Sequence, residues 1–315
     1  DIVMSIQRTY LLKDNGAQFF GYVGEISKEE LPRLNKDTSG GDQFQQGDIV
    51  GKNGMELVFD KELRGISGQN FIQVDARGRE ITSLSVPEFI GDISLSKEPA
   101  PGHTLMLTID KDIQNIAYNA FIGTGRIGGL VVLNPKNGEI LSWVNGPSFD
   151  PTEFSKGISS KMWNDLVNDP FKPLRNKVIQ DHFPPGSTFK SIVALAALQE
   201  GVINKNTTHF CPGFYKFGRR IYHCDVKTGH GSLNVVHAIE ASCDVFFYKM
   251  GVALGIDKIA MYAKALGLGR KTGILMANEV PGLIPTEEWK KTAYGEEWQP
   301  GENLSTAIGQ GYVTA

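Results

Sequence analysis

Ser187 and Lys190 are the two residues of this sequence whose types and spacing best suit covalent chemistry. Residues three apart share one face of a helix, so a hydroxyl and an amine would lie about one turn apart. Burial disfavours the charged form of a lysine, and a neutral amine beside a serine hydroxyl can accept its proton. The pair therefore predicts a serine nucleophile with Lys190 as its base, near helix N–H groups that can hold an oxyanion. The alternative is a helix-capping serine beside a lysine whose charge reaches solvent.

The residues around this pair predict the element that positions it. Pro-Pro-Gly at 184–186 predicts a turn, and Ser187 is predicted to cap the helix that follows. Residues 192–198 are apolar on every side, which predicts a helix buried all round that ends at Gly201. Because Ser-x-x-Lys is common by chance, this context favours catalysis more than the spacing does.

Three cysteines and one histidine form a second group with chemical potential. The spacing is Cys-x12-Cys-x5-His-x12-Cys, made by Cys211, Cys224, His230 and Cys243. Three thiolates and one imidazole would make a closed tetrahedral zinc site of the structural kind, although this is not the spacing of a zinc finger. A disulfide such as Cys211–Cys224 and three unrelated buried thiols are the alternatives. Substitute metal ligands nearby are His209, His223 and Asp225.

Cys243 lies between two polar residues, Ser242 and Asp244. In an extended or turn backbone the central side chain points away from the side that its neighbours share. Ser242 and Asp244 could then face a cleft while Cys243 binds an ion behind them. Such a metal would hold these residues in position and would not act as a Lewis acid.

The composition is that of a soluble globular protein. The 315 residues, 41% hydrophobic and 21% charged, can form one large core or two domains. A net charge of -3 gives no general attraction to nucleic acid or to an anionic membrane. No apolar run reaches the roughly 18–20 residues of a membrane span, and there is no signal peptide. The opening Asp-Ile-Val-Met suggests a piece of a longer protein.

Residues 1–100 are polar and rich in glycine, and they predict a mostly β support domain with strands at 19–24 and 70–75. Residues 97–102 contain two prolines and are the best candidate linker. The second domain, residues 101–315, is predicted to be an antiparallel sheet flanked by helices, so the fold class is α+β.

Particular elements support that second domain. We expect a strand at 104–109, a helix at 110–121 capped by its first residue, and a hairpin at 129–144 whose strands are central in the sheet. Further helices are predicted at 233–240 and at 256–266, the latter amphipathic. Residues 304–315 are predicted to be a turn that enters a helix.

Together these motifs resemble the penicillin-binding proteins, and among them the class B transpeptidases of the elongation-specific group. The first motif is Ser-Thr-Phe-Lys at 187–190 and the second is Ser-Cys-Asp at 242–244. Supporting matches in the same order cover nearly the whole chain: Gly-His-Gly at 229–231, Gly-Leu-Gly at 267–269 followed by Thr-Gly at 272–273, and Ile-Gly-Gln-Gly-Tyr at 308–312.

The resemblance implies a D,D-transpeptidase that cross-links peptidoglycan stem peptides. Ser187 would attack the carbonyl between two D-alanines, Lys190 would be its base, and Ser242 would relay the proton to the leaving amine. Asp244 would accept hydrogen bonds, β-lactams would acylate the same serine, and catalysis would need no cofactor. In the resembling enzymes the segment around His230 can bind a metal through Asp, His and Cys.

The resemblance also implies a location and partners. Residues 1–100 would be a non-catalytic pedestal below a transpeptidase domain on the periplasmic face of the inner membrane, anchored by a helix that precedes Asp1. The partners would be a RodA-type glycosyltransferase and an MreC-type scaffold that docks on the pedestal, with no nucleic acid.

The chain departs from the family pattern at two places. The second motif usually ends in Asn, whereas Asp244 stands here, and a carboxylate cannot donate as an amide does. The third motif, Lys-Thr-Gly on an inner strand, is expected beyond Ala315, because the copies at 227–229 and 271–273 lie at the wrong places in the order of motifs. The alternatives are a division-specific transpeptidase, a serine β-lactamase or β-lactam sensor, and a non-catalytic scaffold.

Overall fold

A computed structural model describes residues 8–36, 43–66, 68–70, 77 and 96–315 of the chain. The chain divides into two compact units, Asp1–Val178 with Leu275–Ala277, and Ile179–Ile274 with Asn278–Ala315. Within the described ranges, no helix has both the length and the apolar character that crossing a bilayer requires.

The described helices, in chain order, are α1 (Ala17–Phe20), α2 (Leu31–Lys36), α3 (Gly54–Val58), α4 (Asp60–Arg64), α5 (Lys111–Ile122), α6 (Thr152–Ser155), α7 (Ser160–Asn168), α8 (Lys177–Gln180), α9 (Lys190–Gln199), α10 (Val235–Glu240), α11 (Asp244–Leu254), α12 (Ile256–Ala265), α13 (Glu287–Tyr294) and α14 (Glu302–Ala307). The described strands are β1 (Val23–Glu25), β2 (Ile49–Gly51), β3 (Gln69–Asn70), β4 (Ser96–Lys97), β5 (Gly128–Leu133), β6 (Ile140–Gly146), β7 (His209–Cys211), β8 (Phe214–Phe217), β9 (Arg220–His223) and β10 (Gly231–Leu233). Every described strand pair is antiparallel, and the mixture of helices and antiparallel pairs confirms the α+β class.

In the first unit, α5 packs on the β5–β6 hairpin. The side chain of Asp110 accepts hydrogen bonds from the N–H groups of Asp112 and Ile113, which confirms the predicted helix cap. The hairpin is also confirmed, and it pairs Leu130 with Val144 around the predicted turn. Within the described residues this sheet consists of these two strands, and the central position expected for them stays a prediction.

Gln114 joins α5 to the hairpin through a fully used amide. Its Oε1 accepts from Ser142 Oγ (2.9 Å) and from the Trp143 N–H (2.7 Å). Its Nε2 donates to Asn15 Oδ1 (2.6 Å) and to the Trp143 carbonyl (2.9 Å). A buried amide that satisfies both of its ends fixes the position of the helix on the hairpin.

Three predictions in this unit need correction. Residues 104–109 form no strand, because the segment meets β6 only at its end, where Thr108 Oγ1 donates to the Ile140 carbonyl and the Asp110 N–H to that of Leu141. Residues 19–20 belong to α1, and the strand begins later, at Val23. The described residues of the first hundred therefore hold short helices beside short strands and are not mostly β.

Two further sequence predictions concern this unit, a strand at 70–75 and a linker at 97–102. Of the predicted strand at 70–75 only residue 70 is described, at the end of β3, and the rest lies outside the described residues. Within the predicted linker at 97–102, Ala100 exchanges both backbone hydrogen bonds with Ile66, which fixes this part of the segment.

The second unit is built around α11. Seven of its residues are buried, among them Phe246 and Phe247, and α9, α12 and α14 pack against it. Gly251 permits the close approach of α14, because a Cβ there would lie 2.6 Å from the Asn303 carbonyl oxygen and 2.7 Å from Ala307 Cβ. The helix that begins with the last residue of the second motif is thus largely enclosed.

The sequence had predicted that α9 is buried on every side, but one part of its surface is exposed. Leu195 and Leu198 are 37% and 39% exposed, while Val193, Ala194, Ala196 and Ala197 are buried. A run in which every residue is apolar carries no periodicity, so it does not show which face is covered.

The other helices of this unit agree in part. α12 confirms the amphipathic helix predicted at 256–266, whereas α10 begins only after a cap at Asn234. At the end of the described chain the predicted order is reversed, because α14 comes first and an extended segment follows, bridged from Thr314 to Leu283.

Candidate active site

Ser187 lies in a turn of 3₁₀ helix, Gly186–Phe189, and α9 begins at Lys190. The sequence had predicted that Ser187 caps the helix, and this is wrong. The preceding turn already has helical geometry, and Pro185 occupies its cap position without a side-chain hydrogen bond. Thr188 Oγ1 donates to the Pro185 carbonyl (2.7 Å), and Phe189 is 1% exposed. The turn is held from both sides, which leaves the Ser187 hydroxyl free to face its partners.

A hydrogen-bonded chain joins the first and second motifs. Lys190 Nζ donates to Asp244 Oδ1 (2.6 Å), to the Ser242 carbonyl (2.7 Å) and to Ser242 Oγ (3.0 Å). Ser242 Oγ in turn donates to Ser187 Oγ, at 2.9 Å. The structure thus brings all four predicted residues together, with the Ser242 hydroxyl between the serine and the lysine.

The side chain of Lys190 is 3% exposed and that of Asp244 is 18% exposed. An ammonium has three N–H donors, and the three acceptors around Nζ use all of them. The Phe247 ring centroid lies 5.8 Å from the same nitrogen. A buried charge that is paired and fully hydrogen-bonded is tolerated, so the network holds Lys190 in one position.

The backbone of Ser242 is in the left-handed region, with a φ of 50°. α10 ends just before it, and the N–H groups of Ser242 and Cys243 donate to the carbonyls of Ile239 and Ala238. A non-glycine residue in this region is strained, and such residues cluster at functional sites. This kink turns Ser242 towards Lys190 and places Asp244 in the first turn of α11, where the helix dipole favours a carboxylate.

The four predicted metal ligands also lie together. One ligand atom from each of Cys211, Cys224, His230 and Cys243 falls within 4.8 Å of all the others. His230 Nδ1 is 3.7 Å from Cys211 Sγ and 3.5 Å from Cys224 Sγ. The cysteines are buried free thiols. They come from β7, from the end of β9 and from the residue before α11, so this cluster connects three elements.

The thiols differ in their acidity. Burial raises the pKa of Cys211, but the N–H groups of His230 and Gly213 outweigh it and bring the pKa down to about 7. Burial raises the pKa of Cys243 to about 12, and burial also raises that of Cys224. Three buried thiols and an imidazole within reach of one another are a donor set that fits Zn²⁺, which binds thiolates and neutral imidazole.

The substitute ligands named from the sequence lie elsewhere or play other parts. His209 packs its ring 5.4 Å from that of Phe246, and burial lowers its pKa. His223 is exposed. Asp225 Oδ1 accepts from Cys224 Sγ at 3.2 Å and forms a group with Cys224 and Asp244. Burial would raise the pKa of Asp225, but this thiol, the Val226 N–H and the nearby charges of His230 and Lys190 lower it.

Both internal Lys-Thr-Gly sequences lie in loops with structural contacts. The Thr272 N–H and Oγ1 donate to Glu279 Oε1 at 2.7 and 2.6 Å. Gly229 packs so closely that a Cβ would lie 2.3 Å from the Cys211 carbonyl oxygen. Glu279 and Gly309 have roles that no sequence motif predicted, and the Gly309 carbonyl accepts from the Gly186 N–H beside the nucleophile. The only sequence signal for Gly309 is the Gly-Gln-Gly spacing.

Two family models match consecutive parts of the chain. Residues 128–315 match the family described as penicillin binding protein transpeptidase domain, and residues 1–107 match the penicillin-binding protein dimerisation domain. The chain is 39% identical over 298 residues to peptidoglycan D,D-transpeptidase MrdA of Escherichia coli K12, which covers 94% of this chain and 45% of the relative. MrdA of Haemophilus influenzae is 35% identical, over 98% of this chain and 46% of the relative.

Solved structures show the same likeness. Pseudomonas aeruginosa PBP2 in complex with WCK 5153 superposes with a TM-score of 0.79 at 34% identity, over 98% of this chain and 61% of that one. Helicobacter pylori PBP2 in complex with MreC gives 0.80 at 32% identity, over 98% and 55%. The chain spans about half the length of the curated relatives it matches. The chain belongs to the penicillin-binding protein transpeptidase family.

Proposed function

We propose that the protein carrying this chain is a peptidoglycan D,D-transpeptidase of cell elongation. The observation that supports this most is the chain of hydrogen bonds from Ser187 through Ser242 to Lys190 and Asp244. It supplies a nucleophile, a proton path and a buried basic group in one place, as acyl transfer by a serine requires. The likeness to MrdA favours the elongation class over a division enzyme or a β-lactamase.

In the acylation step, Ser187 Oγ forms a bond to the carbonyl carbon between the two D-alanines of a stem peptide. The proton of Ser187 passes to Ser242 Oγ while Ser242 gives its own proton to Lys190, which first hands one of its protons to the Asp244 carboxylate, along contacts of 2.9, 3.0 and 2.6 Å. Hydroxyl groups both donate and accept, so Ser242 can relay in either direction. When the tetrahedral intermediate collapses, the C–N bond breaks and the same path returns a proton to the departing D-alanine amine.

In the second step, an amine from a neighbouring stem peptide attacks the acyl-enzyme. The proton of that amine moves through Ser242 towards Lys190, and Ser187 recovers its hydroxyl proton as the new amide forms. A β-lactam follows only the first half, because its opened ring stays attached to Ser187. Lys190 acts on either substrate from a position fixed by Asp244, whose carboxylate lies 2.6 Å away.

We also propose that Cys211, Cys224, His230 and Cys243 hold a structural zinc ion. Their proximity and burial support this, and so does their chemistry, since this donor set suits a closed tetrahedral site. The bound ion would balance the charge of the thiolates and tie β7, β9 and α11 together. Because Cys243 is flanked by Ser242 and Asp244, this cluster would support the second motif without taking part in acyl transfer.

The domain roles, location and partners are part of the same proposal. Residues 1–100 would form a non-catalytic pedestal and residues 101–315 the transpeptidase domain, on the extracytoplasmic side of an inner membrane that anchors the whole protein. The solved complex of Helicobacter pylori PBP2 with MreC supports an MreC-type scaffold as a partner. A likeness to a structure described as a peptidoglycan synthase complex that coordinates polymerization and crosslinking supports a RodA-type glycosyltransferase as another.

Labelling by fluorescent penicillin tests the enzymatic part. The whole protein that carries this sequence should become covalently labelled, and the Ser187→Ala variant should not. Incorporation of a labelled D-amino acid into a synthetic stem peptide should likewise depend on Ser187. A folded protein that shows neither reaction would instead be a non-catalytic scaffold.

A further inference from the structure

The backbone of Gly309 lies directly against the turn that carries the nucleophile. Its carbonyl accepts a hydrogen bond from the Gly186 N–H at 2.9 Å. A Cβ at position 309 would lie 2.2 Å from the Gly186 carbonyl oxygen and 2.8 Å from both the Gly186 nitrogen and Phe189 Cβ. Gly309 therefore touches the residues that precede Ser187 and Lys190.

The segment that contains Gly309 is itself held firmly. The N–H groups of Gly309 and Gln310 donate to the carbonyls of Thr306 and Ser305, both at 2.9 Å, which fastens the segment to α14. Three residues later, the ring of Tyr312 packs among the aromatic rings of Trp289 (5.2 Å), Tyr294 (5.6 Å) and Trp298 (6.2 Å).

The same support reaches the second motif. α14 packs on α11 at the close contact made by Gly251, and α11 begins with Asp244. The turn with Ser187 and the helix with Asp244 therefore both rest against α14 and the residues that follow it. A single structural support can fix the distance between Ser187 and Ser242.

We infer that Gly309 is a positioning residue for the nucleophile, with a carbonyl that holds the Gly186 N–H and so keeps Ser187 Oγ at 2.9 Å from Ser242 Oγ. The inference rests on the proposed function, since it assigns a cause to the alignment of the same site. Two conditions require glycine at position 309. Its φ is 70°, and the space that a side chain would need is occupied by backbone.

Gly311 provides a matched control two residues away. Its φ is 73°, so an alanine there meets the same backbone strain. The nearest atom to a Cβ at Gly311 is Ser305 Cβ at 3.4 Å, which is an ordinary contact. Gly309→Ala and Gly311→Ala thus share the strain, and only Gly309→Ala presses on the nucleophile turn.

The test measures penicillin acylation of both variants and separates the dissociation constant of the first complex from the acylation rate constant. Gly309→Ala should lower the rate constant by about a hundredfold, because a displacement near 1 Å has that effect on reacting groups. Gly311→Ala should keep a near-normal rate constant even if its melting temperature falls as much as that of Gly309→Ala. Equal rate constants in the two variants would overturn the inference.

A second measurement follows the Gly186 amide directly. Gly186 follows two prolines, which have no N–H, so hydrogen exchange in a peptic fragment from this turn reports on Gly186 and the residues after it. The Gly186 amide should be protected in the wild-type protein and should exchange faster in Gly309→Ala. Exchange at the rate of a free amide in the wild type would contradict the inference, whereas a wild type that penicillin does not label would contradict the proposed function instead.

Discussion

Lys190 Nζ and Asp244 Oδ1 lie 2.6 Å apart, and the lysine side chain is almost wholly enclosed. Burying a charge is unfavourable unless a partner compensates it, so this carboxylate is what permits a lysine at the base of the site. The same contact sets the direction of the lysine, whose other donors reach Ser242.

Removing the acceptor oxygens of this side chain should therefore damage both stability and acylation. Asp244→Ala leaves an uncompensated buried ammonium, and we expect a loss of about 3 kcal/mol in the free energy of unfolding. Asp244→Asn keeps an acceptor oxygen, and the family usually has Asn at this position, so this variant should retain most of its penicillin labelling. Urea unfolding and fluorescent penicillin measure the two effects.

The control for charge removal is Asp165→Ala. Asp165 pairs with Lys161 at 2.8 Å, but both side chains are largely exposed, 64% and 87%. Exposed pairs contribute little to stability, so this variant should unfold and become acylated like the wild type. If Asp244→Ala behaved in the same way, the carboxylate would not be the compensating partner of Lys190.

Ser242 has two separable properties, a hydroxyl and a strained backbone. Ser242→Ala and Ser242→Gly both remove the hydroxyl, so acylation should fall by about a hundredfold or more in each. Only glycine adopts a positive φ without strain, so the Gly variant should be more stable than the Ala variant by about 1 kcal/mol. Stopped-flow acylation and urea unfolding distinguish the two properties.

Ser191→Ala tests whether loss of any nearby hydroxyl slows the reaction. Ser191 is exposed and directly follows Lys190 in α9. Its loss should change neither the acylation rate nor the unfolding midpoint. Normal acylation of Ser242→Gly would exclude the proposed relay.

The identities of the site residues could be predicted, but their arrangement could not. Ser187 and Lys190 are close in sequence, and their context was informative. Ser242 reaches them across a separation of 55 and 52 residues, and nothing local shows that its hydroxyl would stand between them. The sequence placed the serine and the lysine side by side, whereas the structure makes Ser242 the link.

The fold shows the same limit, because contacts between segments that are distant in sequence could not be predicted. Asp110 and the turn of the hairpin, Asn-Pro-Lys-Asn-Gly at 134–138, act on their own neighbours, so the helix and the hairpin were predicted. Which face of α9 is exposed depends on α10, α11 and α12, which are distant in sequence. The role of Gly309 was hidden for the same reason, because it depends on the distant Gly186.

The thiol cluster predicts a dependence of the site on metal. The purified protein should contain about one zinc ion per chain, as a closed site of four ligands requires. Cys243→Ala should lose the metal, melt at a lower temperature and label more slowly with penicillin, because Cys243 lies between Ser242 and Asp244. Elemental analysis, thermal unfolding and labelling measure these together, and strong chelation of the wild type should have the same effects.

His223→Ala is the matched control for this cluster. His223 precedes Cys224 but is exposed. Its backbone pairs with Phe214 across β8–β9, and its carbonyl accepts from Tyr248 Oη. This variant should keep its zinc and its melting temperature. Protein without stoichiometric zinc, or equal loss of metal from both variants, would rule out the four proposed ligands.

Glu279 predicts a dependence of stability on pH. Burial raises its pKa, but the Thr272 hydroxyl and the N–H groups of Thr272 and Gly273 outweigh burial, so the pKa lies below its usual 4.5. A carboxyl whose folded pKa is lowered contributes stability above the unfolded pKa and loses it as the pH falls through the folded pKa. Glu279→Gln should thus unfold more easily than the wild type at neutral pH, by about 1–2 kcal/mol for bonds to a charged acceptor.

The difference between the two proteins should shrink as the pH falls from the usual glutamate pKa through the lowered pKa of the folded protein, where the folded wild type also gains a neutral side chain. Urea unfolding at about pH 7 and pH 4 measures this stability difference above and below the usual glutamate pKa. Glu288→Gln, at an exposed position in the first turn of α13, serves as the control and should stay close to the wild type at both values. A stability difference for Glu279→Gln that did not change with pH would mean that the shape of the side chain, and not its charge, holds the Thr272–Gly273 turn.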